Sequence, residues 1–221
     1  MPLFNIGFVI FPNLTQLDFT GPLQVLNRLP NSRTHIIAKT IDPVPSDCGL
    51  SLVPTTTFGD CPKLDLICVP GGAGVVQAMT DPDTIAFVRR QAEGARYVTS
   101  VCTGAFVLGM AGLLEGKRAT THWAYTDLLS RVGATYERAR VVWDGNVCTA
   151  AGVTCGIDFA LRVVAEIAGE EAAQSIQLTI EYDPEPPFAS GHPDRAPAQI
   201  RDRVTAGFVK RREAYQTALP A

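Results

Sequence analysis

The apolar residues of this chain fall into short unbroken runs divided by helical patterns, the signature of a parallel sheet buried on both faces. Residues 4–11 (FNIGFVIF) form the first run, stopped by Pro12, and predict a central strand. Residues 34–41 predict a second strand and residues 64–70 (LDLICVP) another, followed at once by the turn Gly71-Gly72-Ala73-Gly74. A helix is predicted over 23–29, with Pro22 at a first helical position and Thr20 or Gly21 as its cap. A second helical run covers 75–79, and a third, capped by Asp81 and opened by Pro82, reaches Gln91. The proline-rich stretch 42–62 predicts loop, with one short strand near 50–53.

The alternation continues in the second half. Tyr97 to Val101 predicts a strand that meets Cys102 with no turn residues between, and an apolar helical run follows from Thr103 to Ala111. Residues 119–125 lead into a short helix ending near Ser130. Short strands are predicted at 135–136, 141–143 and 147–149, the last two joined by the hairpin signal Asp144-Gly145-Asn146. The small residues from Ala150 open an amphipathic helix to Ile167 and permit a close backbone approach at a wall of the site, where Val153 lies. Helices over 170–180 and about 198–215 complete the chain, joined by a proline-rich loop for which Tyr182 and Phe188 are the predicted anchors. Strands alternating with helices throughout predict a doubly wound α/β sandwich with a mainly parallel sheet. Residues 1–221 read as one domain, with 181–221 a C-terminal extension.

Composition narrows the partners. The net charge of -3 and 19% charged residues lack the basic balance that nucleic-acid binding favours. The N-terminus has no basic leader pattern and no apolar run approaches a membrane span, so the reading is a cytoplasmic protein. Six cysteines form no Cys-x-x-Cys pair and the three histidines have no ligand spacing, which argues against zinc and against a disulfide framework.

The candidate chemistry centres on Cys102. Ser100-x-Cys102-x-Gly104 has the small-x-nucleophile-x-small layout of a nucleophile elbow, in which a strand turns sharply into a helix and projects the central side chain. The helix N-terminus that follows is expected to favour thiolate over thiol. The other five cysteines read as core residues. Asp18, flanked by Leu17 and Phe19, sits at a strand-to-helix junction, either as a helix-region cap or as a buried functional carboxylate. The turn at Gly71 to Gly74 exposes backbone N–H groups and reads as an oxyanion-type site or a plain tight turn. His122, beside Trp123, reads foremost as a packing residue within reach of the site.

The segments Leu17-Asp18-Phe19-Thr20-Gly21-Pro22, Cys68-Val69-Pro70-Gly71-Gly72, Ser100-Val101-Cys102-Thr103-Gly104, Lys117 to Trp123 and Ala151 to Leu161 resemble the ThiJ/PfpI superfamily of amidotransferase-like proteins. The resemblance covers nearly the whole chain and implies a flavodoxin-like fold. Asp18, Thr103 and the segment Ile180 to Phe188 most resemble the isocyanide hydratases, which convert an isocyanide and water to an N-substituted formamide. That resemblance implies Cys102, Asp18 and Thr103 as catalytic residues, with Gly72, Ala73, His122, Trp123 and Val153 at the substrate. It implies a small-molecule isocyanide substrate, no cofactor, and a homodimer. Protease-like relatives place histidine directly after the cysteine, where this chain has Thr103, which argues against peptide hydrolysis. Non-catalytic regulators and cysteine-based redox proteins of the same superfamily are the alternative reading.

Overall fold

The computed structural model describes residues 3–220. Seven strands make the main sheet: β1 (Phe4–Val9), β2 (Ser32–Ala38), β3 (Thr56–Thr57), β4 (Leu66–Val69), β5 (Tyr97–Val101), β6 (Val141–Asp144) and β7 (Val147–Ala150). Their order is β6-β7-β5-β4-β1-β2-β3. Every neighbouring pair is parallel except β6 with β7, whose antiparallel hairpin closes one edge. The centre of the sheet is buried on both faces, which is why β1, β4 and β5 read as continuous apolar runs rather than alternating ones.

Helices α1 (Gln16–Leu26), α5 (Cys155–Ala168) and α6 (Glu170–Thr179) pack as one group, and α2 (Val75–Thr80), α3 (Pro82–Ala92) and α4 (Ala105–Met110) as another. The chain leaves β1 in one direction to build β2 and β3 and returns to the other side of β1 to build β4 and β5. Such a reversal leaves a crevice outside the carboxyl ends of the strands, the general ligand position in open α/β sheets. Among the described residues, no helix is long and apolar enough to cross a membrane.

Several expectations are corrected. α1 begins at Gln16, not at Pro22, and Pro22 lies inside it. The early start is set by tertiary bonds: Thr15 N donates to Gly71 O at 2.9 Å and Gly74 N to Asn13 O at 3.1 Å, pinning the loop so that the helix begins at once. Asp18 therefore sits in the first helical turn, and neither Thr20 nor Gly21 is its cap. The stretch 42–62 carries three two-residue strands instead of one, and β3 extends the sheet beyond β2. The short helix expected to end near Ser130 is present, as a 3-10 segment that runs on over Trp123–Val132. The small-residue opening at 151–154 is loop, with α5 starting at Cys155.

The C-terminal segment departs most. Tyr182 is an anchor as expected, its hydroxyl donating to Asp158 Oδ1 at 2.6 Å. Phe188 is not, being 77% exposed. The last helix, α7 (Ala198–Ala218), folds back over α2 and the Trp123–Val132 segment. Arg212 grips Asp127 through two nitrogens at 2.9 and 2.7 Å and also donates to Ala124 O. Arg131 reaches the other way to the carbonyls of Gln216, Leu219 and Pro220. Tyr215 is thereby fully buried against Phe106 and Tyr125.

Candidate active site

β5 passes into a single 3-10 turn, Cys102–Gly104, before α4. Cys102 adopts φ +57°, a left-handed conformation that costs a non-glycine residue on the order of 1–3 kcal/mol and persists only where the surroundings over-determine it. Here they do. Its N–H donates to Ala151 O at 2.8 Å, and its carbonyl accepts from the Thr121 hydroxyl at 2.8 Å. A methyl group added at Gly104 would lie 2.1 Å from Val69 O, so the small residue expected of an elbow is a steric necessity.

The turn after β4 brings the rest of the constellation to the sulfur. Gly71 N donates to Asp18 Oδ2 at 2.9 Å, and Gly72 N to Thr103 Oγ1 at 3.1 Å. Both amides are thus committed to holding side chains. With the Gly74 N–H bonded to Asn13 O, three N–H groups of this turn build a scaffold, which favours the plain-turn reading over an oxyanion site at them. The Thr103 N–H and hydroxyl, without full hydrogen-bond geometry to it, favour charge on the Cys102 sulfur.

Asp18 is completely buried, and its Oδ1 has no conventional hydrogen-bond partner. The Cys102 thiol also interacts with the carboxyl, without the geometry of a full hydrogen bond. Burial pushes the Asp18 carboxyl up to about 7, against the opposing pull of the Gly71 N–H and the thiol. Burial also pushes the Cys102 thiol well up, with the Asp18 charge adding to it and the Thr103 donors opposing it. The expectation of a ready thiolate is corrected on this point. Three residues of 3-10 turn and a short helix do not offset desolvation plus an adjacent carboxylate. The two groups hold a proton between them and titrate as a pair.

Cys102 opens onto a cavity of about 140 Å³. Gly72, Thr103, His122 and Val153 line it as expected, and so do Thr15, Tyr125, Phe208 and Arg211, which the sequence reading did not single out. Trp123 lies behind this wall, its ring 5.5 Å from His122 and 5.7 Å from Phe208, and lines a neighbouring cleft of about 610 Å³ instead. Ala73 is exposed and reaches neither. Burial, with the Arg211 charge nearby, lowers His122 to about 4 and so keeps it neutral. Its Nδ1 accepts from Ala124 N at 3.3 Å, which leaves it a packing and capping role among the rings of Trp123, Tyr125 and Phe208. Among the described residues, no group of three or more His, Cys, Asp or Glu side chains is placed to hold a metal ion.

The comparisons with known proteins agree with this geometry. The chain is 58% identical over 200 residues to the isonitrile hydratase of Pseudomonas putida, covering 90% of this chain and 88% of that protein. It is 28% identical to an HTH-type transcriptional regulator of Pseudomonas aeruginosa over 81% of this chain but only 51% of the regulator. A crystal structure of a THiJ/PfpI family protein from Pseudomonas syringae superposes with a TM-score of 0.95 at 42% identity, covering 99% of this chain and 91% of the other. The structure of Drosophila melanogaster DJ-1beta, at 23% identity and a TM-score of 0.74 over 81% of this chain and 98% of that one, shares the fold. The DJ-1/PfpI family pattern matches residues 5–166, and the chain belongs to the DJ-1/PfpI family.

Proposed function

We propose that this protein is an isocyanide hydratase, converting R–N≡C and water to R–NH–CHO without a cofactor. One observation carries the reading: a fully buried carboxyl with a pKa near neutrality sits against an elbow cysteine, in a chain 58% identical to an isonitrile hydratase.

The chemistry follows from the pair. An isocyanide is electrophilic at its terminal carbon, and that carbon becomes basic as a nucleophile adds. Cys102 sulfur attacks it while the proton held between Cys102 and Asp18 passes to the same carbon, so that S–H adds across one atom and leaves a thioimidate, R–N=CH–S–Cys102. Asp18 serves this transfer because its proton is neither tightly held nor freely lost near pH 7. The Thr103 N–H and hydroxyl stabilise sulfur while it carries charge. Water then attacks the thioimidate carbon and gives its proton to the Asp18 carboxylate, the nitrogen gains a proton, and collapse of the adduct expels the sulfur. Gly71 and Gly72 hold the Asp18 carboxyl and the Thr103 hydroxyl in place. Val153 and His122, with Phe208, supply apolar wall for the R group.

Purified protein with small alkyl and aryl isocyanides, followed by NMR, tests this reading. Formamide should appear as isocyanide disappears. Absence of turnover, with facile oxidation of Cys102 by peroxide, would favour the redox-protein reading instead.

The chain is also expected to form a homodimer, a reading supported by the exposed Phe188 beside the proline-rich 183–187 stretch. Light scattering at micromolar concentration should give about twice 23.7 kDa. A monomer would overturn it. Deleting 182–221 is a poor test of assembly, because α7 contributes Phe208 and Arg211 to the cavity of its own chain.

A further inference from the structure

The hydration half of the reaction has an unmet need. When water adds to R–N=CH–S–Cys102, the nitrogen must gain a proton, and Asp18 is badly placed to supply it. Asp18 does not line the cavity and approaches it only at the sulfur, whereas the nitrogen lies one bond beyond the carbon that the sulfur holds. A second donor is required farther out.

We propose that Tyr125 is that donor, relaying a proton at the substrate nitrogen during thioimidate hydration, with the Arg211 guanidinium positioned to hold the resulting phenolate. The inference rests on the hydratase reading of the same site. Tyr125 lines the Cys102 cavity and is 2% exposed, and its hydroxyl has no partner at full hydrogen-bond geometry, the Arg211 guanidinium being the side chain that approaches it as a donor. A buried hydroxyl whose proton meets no acceptor is costly and is retained where a ligand completes it. Arg211 lines the same cavity, its guanidinium 5.7 Å from the Phe208 ring centroid and within electrostatic range of the phenol. A guanidinium has only donors, so it can meet the phenolic oxygen but never takes the phenolic proton. That proton stays available to a ligand.

The other candidates are committed elsewhere. Tyr215 directs its hydroxyl at Gly72 O at 3.5 Å and also meets Thr103. His122 is neutral, with Nδ1 occupied as an acceptor, so giving up its remaining N–H would leave an anionic imidazole. Burial raises the Tyr125 phenol while Arg211 opposes that rise, which keeps it protonated at rest and eases its brief ionisation.

The steps balance. Water adds OH to the thioimidate carbon and gives a proton to the Asp18 carboxylate. The Tyr125 hydroxyl protonates the nitrogen, giving R–NH–CH(OH)–S–Cys102 and a phenolate. The phenolate then takes the proton of the new hydroxyl as the C–S bond breaks, releasing R–NH–CHO with Tyr125 protonated. The proton on Asp18 and the charge on the Cys102 sulfur together restore the starting pair.

Rapid-quench intact-mass measurement with cyclohexyl isocyanide separates the two halves, since the thioimidate adds the full mass of the substrate to Cys102. Tyr125→Phe should cut turnover by about a hundredfold. Adduct formation should slow by no more than about threefold by the same reasoning, so that the adduct fills nearly every chain in the steady state. Arg211→Gln, on the exposed side of α7, should shift the same partition by about tenfold. Wild-type turnover in Tyr125→Phe would overturn the proposal, as would parallel loss of adduct formation and turnover in a folded variant. Should Tyr125→Phe fail to fold, an unchanged partition in Arg211→Gln would overturn it equally. Neither adduct nor formamide from the wild-type protein would refute the hydratase reading and the proposal with it, whereas loss confined to the variants bears on Tyr125 alone.

Discussion

Gly71 donates its backbone N–H to Asp18 Oδ2 at 2.9 Å, joining the loop after β4 to the first turn of α1 across 53 positions of sequence. The bond fixes one carboxyl oxygen and leaves the other without a conventional partner, in a carboxyl that also meets the Cys102 thiol. The proton chemistry of the site follows from a carboxyl held in this way beside a thiol, and so do several expected outcomes.

Replacing either member of the pair should separate chemistry from folding. Asp18→Asn keeps the shape and the Gly71 bond but removes the transferable proton, so kcat/KM for a simple isocyanide should fall about a hundredfold or more. Cys102→Ser should abolish turnover with an unchanged far-UV spectrum, since a hydroxyl is far less acidic than a thiol and the Asp18 carboxylate is too weak a base to make it comparably nucleophilic. A loss of only two- or threefold in Asp18→Asn would reduce the carboxyl to a structural role.

The pH dependence has a definite sign. Below about pH 7 the pair carries two protons and lacks a nucleophile, and above it one shared proton remains. kcat/KM should therefore rise through pH 7 and hold until the thiol itself ionises. Stability runs the opposite way, because the folded-state pKa of Asp18 is raised above its usual value of 3.8. The stabilisation is complete below pH 4 and is lost as pH climbs through 7. Urea unfolding should show the wild-type protein losing on the order of 1–3 kcal/mol relative to Asp18→Asn between pH 4 and pH 8. A constant difference between the two across that range would contradict the raised pKa.

Gly71→Ala probes the scaffold rather than the reacting groups. A methyl there would lie 2.6 Å from Thr103 N and 2.8 Å from both Asp18 Oδ2 and Thr103 Oγ1. Relieving those contacts must displace both side chains, at a stability cost of about 1–3 kcal/mol. Misplacement of that size should lower kcat by about a hundredfold. Denaturation midpoints read beside steady-state rates would expose an activity loss no larger than the destabilisation predicts, and with it a merely structural turn.

Phe208→Ala should reshape selectivity. Phe208 closes the cavity from α7, its ring 5.8 Å from Tyr125 and 5.3 Å from His122. Opening that wall should raise the kcat/KM ratio of a bulky isocyanide over a small one by about tenfold, the scale a hydrophobic pocket contributes to discrimination. A ratio that does not move would place the R group elsewhere, such as the neighbouring cleft behind His122.

What the sequence determined by itself is what depends on neighbours along the chain. The Tyr97–Val101 run against Cys102, with Ser100 and Gly104 as small flanks, encodes the elbow locally, and continuous apolar runs at β1, β4 and β5 encode a sheet buried on both faces. Asp18 was legible as a candidate because a carboxyl between Leu17 and Phe19 is chemically out of place. Its helix start was not, since Thr15 N to Gly71 O is a tertiary bond with no trace in local propensity. The protonation of Cys102 was misjudged for the same reason: a helix N-terminus can be read from sequence, whereas desolvation and an adjoining carboxylate are known only once the chain is packed. Tyr125, in the Trp123–Val132 segment, carries no local mark of its place at the cavity, and neither do Phe208 and Arg211, because α7 reads as an ordinary polar helix. Only the docking of Arg212 on Asp127, across 85 residues of chain, and of Tyr215 against Phe106 swings α7 across the site. Local chemistry placed the nucleophile, and the closing of the cavity around it is a property of long-range packing.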